Sequence, residues 1–105
     1  MEATVRRLNG IFAAAIWEVE ERRLWLTRDP LGVKPLFYGR FGAVWLFASQ
    51  PKALRPHPAF DGELDRDALT AYLRYAYVPA PYSAFRHVRK LPPGGLLRLD
   101  PDGGE

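Results

Sequence analysis

The segment that most constrains the fold of this chain is residues 28–39, which read Arg-Asp-Pro-Leu-Gly-Val-Lys-Pro-Leu-Phe-Tyr-Gly. Pro30 and Pro35 fix the backbone dihedral φ and lack amide donors, and Gly32 can adopt a positive φ that other residues avoid. Strand-forming residues precede and follow the segment. We therefore predict a loop of fixed backbone between two strands. An ordinary turn punctuated by proline and glycine is the alternative.

The remaining strands are predicted from apolar runs. Residues 10–17 are continuously apolar, which is typical of a central strand buried on both faces. Further antiparallel strands are expected at residues 24–27, 36–40 and 43–48, with Phe41-Gly42 at the last turn. A short helical turn is expected at residues 52–54, before two prolines interrupt it.

One helix is predicted over residues 66–75, where apolar residues recur at helical spacing. Asp65 is a good N-cap, and Asp67 suits the positive end of the helix. The spacing predicts that the aromatic residues of this helix pack in the core. Short strands are expected at residues 85–90 and 96–99. The predicted fold class is α+β, with antiparallel strands and a short helix.

Composition excludes several classes of function. With 105 residues, of which 48% are apolar, the chain fits one small domain or part of a larger one. It has no cysteine, and His57 and His87 are isolated in sequence, so we predict no metal site. The net charge of +3 is spread along the chain, which predicts no nucleic-acid binding. No apolar run is long enough for a membrane span or a signal peptide, so we expect a cytoplasmic protein without membrane association.

Four blocks along the chain carry a resemblance to a known family. They are Leu-Asn-Gly-Ile-Phe-Ala-Ala-Ala-Ile-Trp-Glu at residues 8–18, the Arg-Asp segment, Phe-Ala-Ser-Gln-Pro-Lys-Ala-Leu at 47–54 and Val-Arg-Lys-Leu-Pro-Pro-Gly at 88–94. In this order and spacing they resemble the glutaminase domain of glutamine-hydrolysing asparagine synthetase and its relatives, the class II glutamine amidotransferases. The resemblance covers essentially the whole chain and corresponds to the C-terminal part of that domain.

The resemblance implies a place for the chain in a larger protein. Residues 1–105 would be the second half of a class II glutamine amidotransferase domain, with residues 50–105 leading toward a synthetase domain. The fold would be part of the αββα sandwich of N-terminal-nucleophile enzymes. The implied partners are the N-terminal glutaminase segment and the synthetase domain. Unmatched sheet edges and apolar faces also predict self-association.

The family's catalytic groups are not expected in this chain. Class II glutaminases attack glutamine with an N-terminal cysteine, whereas this chain starts with Met1-Glu2 and contains no cysteine. A Gly-rich phosphate loop of the Ser-Gly-Gly-x-Asp-Ser type is also missing, so the ATP and Mg of the parent enzyme would have no site here. We predict no catalytic, cofactor-binding or metal-binding residue, and no glutaminase activity from the chain alone.

Two groups of residues are candidates for other roles. The resemblance places Ile11, Val33 and Lys34 near the start of the family's ammonia route, where apolar side chains would let neutral ammonia pass. Core packing is the alternative for the apolar pair. Lys34 departs from an apolar lining, and it could face a domain interface or pair with Asp29.

The second group holds the loop. A charged pair at the end of a strand can hydrogen-bond a tight loop, so Arg28 and Asp29 are predicted to fix its backbone together with Gly32 and Pro35. Direct substrate contact is the alternative for the charged pair.

By resemblance, the parent enzyme is a ligase that hydrolyses glutamine and amidates an ATP-activated carboxylate, with aspartate as the default acceptor. The segments at residues 49–52 and 77–83 resemble those of family members associated with surface-polysaccharide gene clusters. In such members a uronic acid is the alternative acceptor. A non-catalytic interaction module, or one subunit of a split enzyme, is the alternative from another class.

Overall fold

The computed structural model describes residues 2–75, 77–78 and 80–100, which form two compact units. One unit comprises Met1–Pro35 with Leu91–Glu105, and the other comprises Leu36–Lys90. In chain order the elements are α1 (Glu2–Arg6), β1 (Ala13–Glu18), β2 (Arg23–Arg28), β3 (Phe37–Phe41), β4 (Val44–Ala48), a 3-10 helix (Pro51–Leu54), α2 (Arg66–Tyr75), β5 (Arg89–Lys90) and β6 (Leu96–Leu99). The architecture is α+β with antiparallel sheets and few helices, as predicted. Within the described ranges, every helix is too short or too polar to cross a membrane.

The first unit contains a three-stranded antiparallel sheet in the order β1-β2-β6. Strand β2 is central, and its residues Leu26 and Thr27 are fully buried. Leu26 pairs with Ala15 on one side and with Leu97 on the other. Hydrogen bonding on both edges therefore gives β2 the most buried position in this sheet.

The prediction of a central strand at residues 10–17 was wrong. The strand begins at Ala13, and in the described sheet it is an edge strand with Trp17 54% exposed. An apolar run indicates that a strand can be covered on both faces, but it does not say which elements cover it. Strand β2 is central because it has two neighbours, whereas β1 pairs only with β2 among the described strands.

The second unit contains a three-stranded antiparallel sheet in the order β4-β3-β5. Strands β3 and β4 are joined by a two-residue turn at Gly42 and Ala43, one residue later than predicted, and Gly42 has a φ of +65°. The four predicted strands before residue 50 are therefore confirmed, but they form two hairpins in two sheets. The buried residues Phe37, Phe41, Leu54 and Val88 form a hydrophobic cluster in this unit.

Helix α2 has the predicted bounds, and its N-cap is also confirmed. Asp65 Oδ1 accepts hydrogen bonds from the backbone amides of Asp67 at 3.0 Å and Ala68 at 3.1 Å. The expectation that the aromatic residues of the helix lie in the core was wrong, because Tyr72 and Tyr75 are exposed and only Ala68 of the helix is buried. Helical spacing identifies an apolar face, but it does not identify the element that covers the face.

The strand predicted at residues 85–90 is much shorter in the structure. Only Arg89–Lys90 pairs with β3, and Phe85 forms an isolated antiparallel bridge with Leu64. The chain from Phe85 to Val88 turns around the buried Ser83, whose hydroxyl oxygen lies 2.9 Å from the Phe85 carbonyl and 2.7 Å from the Val88 carbonyl. Its single proton can be donated to either carbonyl, and the oxygen accepts from the Phe85 amide at 3.1 Å. This local turn prevents a continuous strand.

Candidate functional site

The acid at the start of the predicted loop is buried and fully engaged with the backbone. Asp29 is 1% exposed. Its Oδ2 accepts a hydrogen bond from the Val33 amide at 3.1 Å, and its Oδ1 accepts one from the Lys34 amide at 3.3 Å. The carboxylate therefore closes the loop on itself.

The main chain of Asp29 joins the loop to two other segments. Its amide donates to the Phe12 carbonyl at 2.9 Å, and its carbonyl accepts from the amides of Gly32 at 3.0 Å and Gly94 at 2.9 Å. Three stretches of the chain that are far apart in sequence thus meet at one residue. This convergence accounts for the burial of a charged side chain that lies in a loop.

Two opposing influences set the pKa of Asp29. Burial is the largest influence, and it raises the pKa because it disfavours the charged form. The backbone hydrogen bonds of Val33 and Lys34, with smaller backbone contributions at Phe12 and at Asp29 itself, act in the opposite direction. Together they lower the pKa below its ordinary value of 3.8, so the buried carboxylate is ionised at neutral pH.

Arg28 binds backbone carbonyl groups, which the carboxylate of Asp29 cannot bind. Its guanidinium donates to three carbonyl oxygens: from Nε to Lys34 at 2.8 Å, from Nη1 to Leu91 at 2.6 Å and from Nη2 to Gly32 at 2.6 Å. Arg28 therefore takes the carbonyls of the loop, and Asp29 takes its amides. Each charged side chain satisfies the backbone groups of the opposite polarity.

Gly32 occupies a position where other residues would be strained. Its φ is +66°, which is the positive φ predicted for it. A Cβ atom there would lie 2.6 Å from Pro93 Cγ and 3.2 Å from Arg28 Nη2. Both the dihedral angle and the lack of space therefore require glycine. Pro35, the last predicted loop residue, is exposed.

The three residues predicted to lie near an ammonia route are all exposed. Ile11 is 57% exposed and Val33 is 55% exposed, so neither is a core residue of the described chain. The Val33 amide donates to the Asp29 carboxylate, and Ile11 precedes Phe12, whose carbonyl accepts from the Asp29 amide. Lys34 contacts Asp29 through its amide, and no ion pair of the described residues joins its ammonium group to that acid. A role of these residues in an ammonia route stays a prediction.

The structure also brings together three residues that sequence reasoning did not connect. His87 Nε2 lies 3.5 Å from Asp61 Oδ2 and 3.4 Å from Glu63 Oε2. His87, which is isolated from acids in the sequence, therefore has two acidic neighbours in the structure. The only sequence signal is the Asp-x-Glu spacing, because the acids and the histidine are more than 20 residues apart and meet through the pairing of two irregular segments. His57 is exposed.

Comparison with known proteins identifies the class of protein to which this fold and loop belong. A family model described as a glutamine amidotransferase domain matches residues 2–105, so the chain belongs to that family. Among its relatives is a Bacillus subtilis (strain 168) protein named asparagine synthetase (glutamine-hydrolyzing) 1, which is 37% identical over 102 residues, or 97% of this chain. A second protein from that organism, asparagine synthetase (glutamine-hydrolyzing) 3, is 36% identical over 103 residues, also 97% of the chain. The chain spans only 16% and 17% of the lengths of these relatives.

Proposed function

We propose that this chain is a non-catalytic part of a glutamine-dependent amidotransferase similar to asparagine synthetase. The observation that carries the proposal is the family match over residues 2–105 in a sequence without cysteine. The chain would act as scaffold for the glutaminase domain and would be inactive alone. The proposed fold of the complete domain is the αββα sandwich of N-terminal-nucleophile enzymes, with residues 50–105 leading toward a synthetase domain.

In this proposal the complete enzyme hydrolyses glutamine and transfers ammonia to a carboxylate activated by ATP in the cytoplasm. ATP and Mg would bind outside this chain, in the synthetase domain. Aspartate is the proposed acceptor, because the matched relatives are named asparagine synthetases. A uronic acid of a surface polysaccharide is the alternative acceptor, and a subunit of a split enzyme is the alternative form of the chain.

The contacts of the loop support a structural role for its charged residues over direct substrate contact. Both carboxylate oxygens of Asp29 accept backbone hydrogen bonds, and all three guanidinium nitrogens of Arg28 donate to carbonyls. Substrate recognition by either side chain would compete with these bonds. We infer that the pair holds the backbone on which Val33 and Lys34 are presented.

The exposure of Ile11 and Val33 supports their proposed place beside an ammonia route. These two aliphatic side chains offer no hydrogen bonds to water or ammonium, whereas neutral ammonia can pass them. The loop would then contribute to the transfer of ammonia and not to the hydrolysis of glutamine.

An activity measurement on two proteins tests the scaffold proposal. The first protein is the 105-residue chain, for which we expect no release of glutamate from millimolar glutamine above buffer. The second is the Bacillus subtilis asparagine synthetase 1 in which this chain replaces the matching segment. We expect this chimera to hydrolyse glutamine and to form the amide. Glutamate release by the isolated chain that persists through repurification would contradict the proposal, as would a folded chimera without glutaminase activity.

A further inference from the structure

Three potential metal ligands converge at the surface of the unit formed by Leu36–Lys90. They are a nitrogen of His87 and one carboxylate oxygen each from Asp61 and Glu63, and all three atoms lie within 4.8 Å of one another. The function proposed above does not use any of these residues. Two carboxylates on one imidazole bring negative charges together, and a cation between them would remove that repulsion.

The separations of these atoms fit one small cation. Two ligands of a tetrahedral Zn²⁺ with bonds of about 2.0–2.1 Å lie about 3.3 Å apart. His87 Nε2 is 3.4 Å from Glu63 Oε2 and 3.5 Å from Asp61 Oδ2. Two edges of the tetrahedron therefore already have the required length, without any change of backbone.

The backbone holds the two segments that carry these ligands in a fixed pairing. The Arg86 amide donates to the Glu63 carbonyl at 2.8 Å, and the Asp65 amide donates to the Ala84 carbonyl at 2.9 Å. Between these bonds, Leu64 and Phe85 form an antiparallel bridge. Glu63 and His87 therefore approach each other because of main-chain pairing and not through side-chain contact alone.

Each carboxylate is oriented through the oxygen that is not directed at His87. Asp61 Oδ1 accepts from the Glu63 amide at 3.0 Å, which leaves Oδ2 for a ligand. Glu63 Oε1 pairs with Arg86 Nη1 at 3.1 Å, which leaves Oε2. Metal-binding carboxylates commonly have such outer partners, which fix their orientation. Arg86 also lowers the local negative charge, so we expect a site of moderate affinity.

The imidazole of His87 also has an aromatic neighbour. The Phe41 ring contacts the imidazole edge-on, with ring centroids 6.4 Å apart and an interplanar angle of 71°. A cavity of about 250 Å³ opens beside His87 and Asp61. Arg40 also lines it, and Nε of this guanidinium donates to the Gly42 carbonyl at 3.0 Å. This space can admit a cation and the water molecules that would complete its coordination.

We propose that Asp61, Glu63 and His87 bind one divalent transition-metal cation of the Zn²⁺ class, with water as the remaining ligand. One nitrogen and two oxygen ligands favour Zn²⁺ or Co²⁺ over Mg²⁺ and Ca²⁺, which prefer oxygen ligands only.

Calorimetric titration of the 105-residue chain with ZnCl₂ tests this site. The chain has two histidines, so His57→Gln is a matched control for His87→Gln. We expect one Zn²⁺ per chain, at least tenfold weaker binding in His87→Gln, and unchanged binding in His57→Gln. Circular dichroism checks that each variant is folded. If His87→Gln is unfolded, Asp61→Asn, which changes an exposed residue, tests the same site.

The visible spectrum of Co²⁺ added to the chain gives an independent measurement. Intense bands of four-coordinate Co²⁺ that disappear in His87→Gln and in Asp61→Asn would support the site. The proposal is overturned if the folded chain does not bind Zn²⁺, if His57→Gln weakens binding as much as His87→Gln does, or if MgCl₂ competes at equal concentration.

Discussion

At the scale of single residues, the loop depends on two charged side chains of opposite hydrogen-bonding capacity. Arg28 can only donate hydrogen bonds and therefore binds the carbonyls of Gly32, Lys34 and Leu91. An ionised Asp29 can only accept, and it binds the amides of Val33 and Lys34. Neither residue can replace the other, because exchanging them would set donors against donors.

The first prediction concerns the charge of Asp29. Its pKa is lowered in the folded chain, so ionisation of Asp29 stabilises the fold at a pH above the ordinary value of 3.8. This stabilisation is lost as the pH falls through the lower pKa of the folded state. We expect Asp29→Asn to be less stable than the parent chain at pH 7, and the difference to shrink below pH 3.8. Urea unfolding of both proteins between pH 7 and pH 2 measures this.

Glu20→Gln is a suitable control for the Asp29 experiment, because Glu20 is exposed. It removes one negative charge without removing a buried carboxylate, so we expect stability close to that of the parent chain at every pH. A difference between Asp29→Asn and the parent chain that stays constant from pH 7 to pH 2 would show that the charge of Asp29 does not stabilise the loop.

At the scale of elements, sequence reasoning succeeded where the signal is local. Helix α2 has the predicted bounds because both of its signals are local: Asp65 caps it from the preceding position, and the apolar spacing lies within the helix. Burial was not predictable in the same way: Leu73 is 85% exposed and β1 is an edge strand, because burial depends on elements distant in sequence. The cluster at His87 was missed for the same reason, since its acids arrive through the bridge between Leu64 and Phe85.

The second prediction tests the cap of helix α2. Asp65→Ala removes the oxygen that accepts from the amides of Asp67 and Ala68, so we expect the free energy of unfolding to fall by about 1 kcal/mol. Asp65→Asn keeps an equivalent oxygen and should lose much less. Urea unfolding followed by circular dichroism at 222 nm compares the two variants. Equal losses in both would indicate that the charge of Asp65, and not its capping oxygen, stabilises the helix.

At the scale of the whole molecule, the chain exposes large apolar residues in both units. Ile11, Trp17 and Leu31 are exposed in the first unit, and Leu73 and Tyr77 are exposed in the second. The matched relatives are about six times longer than this chain. If the chain is part of a larger enzyme, as proposed, we expect other segments of that enzyme to cover these side chains.

The third prediction follows from this exposure. Exposed apolar side chains, and the edge of β1 that pairs with no other described strand, favour association between copies of the chain. We expect the sedimentation coefficient of the 105-residue chain to rise with concentration. Trp17→Lys, at an exposed position of the β1 edge strand, should reduce the rise. A concentration-independent monomer with a sharp thermal transition would contradict this expectation.

The last prediction concerns the coupling of glutamine hydrolysis to amide formation in the complete enzyme. Gly32→Val places a β-branched side chain at a φ of +66° and against Pro93, which distorts the loop at a cost of about 1–3 kcal/mol. If the loop borders the ammonia route, ammonia should escape while hydrolysis continues. In the chimera with the Bacillus subtilis synthetase, we expect Gly32→Val to raise the ratio of glutamate to amide product more than it slows glutamate release.

The matched control for this experiment is Gly42→Val. Gly42 lies in the turn between β3 and β4 and has a similar φ of +65°. A Cβ atom at Gly42 would have no neighbour within 4 Å. It imposes the same backbone strain away from the loop, so the ratio of glutamate to amide should stay at the level of the unmodified chimera. If Gly32→Val leaves that ratio unchanged and strongly slows glutamate release, the loop belongs to the glutamine site. The proposed place of Ile11 and Val33 beside the ammonia route would then be wrong.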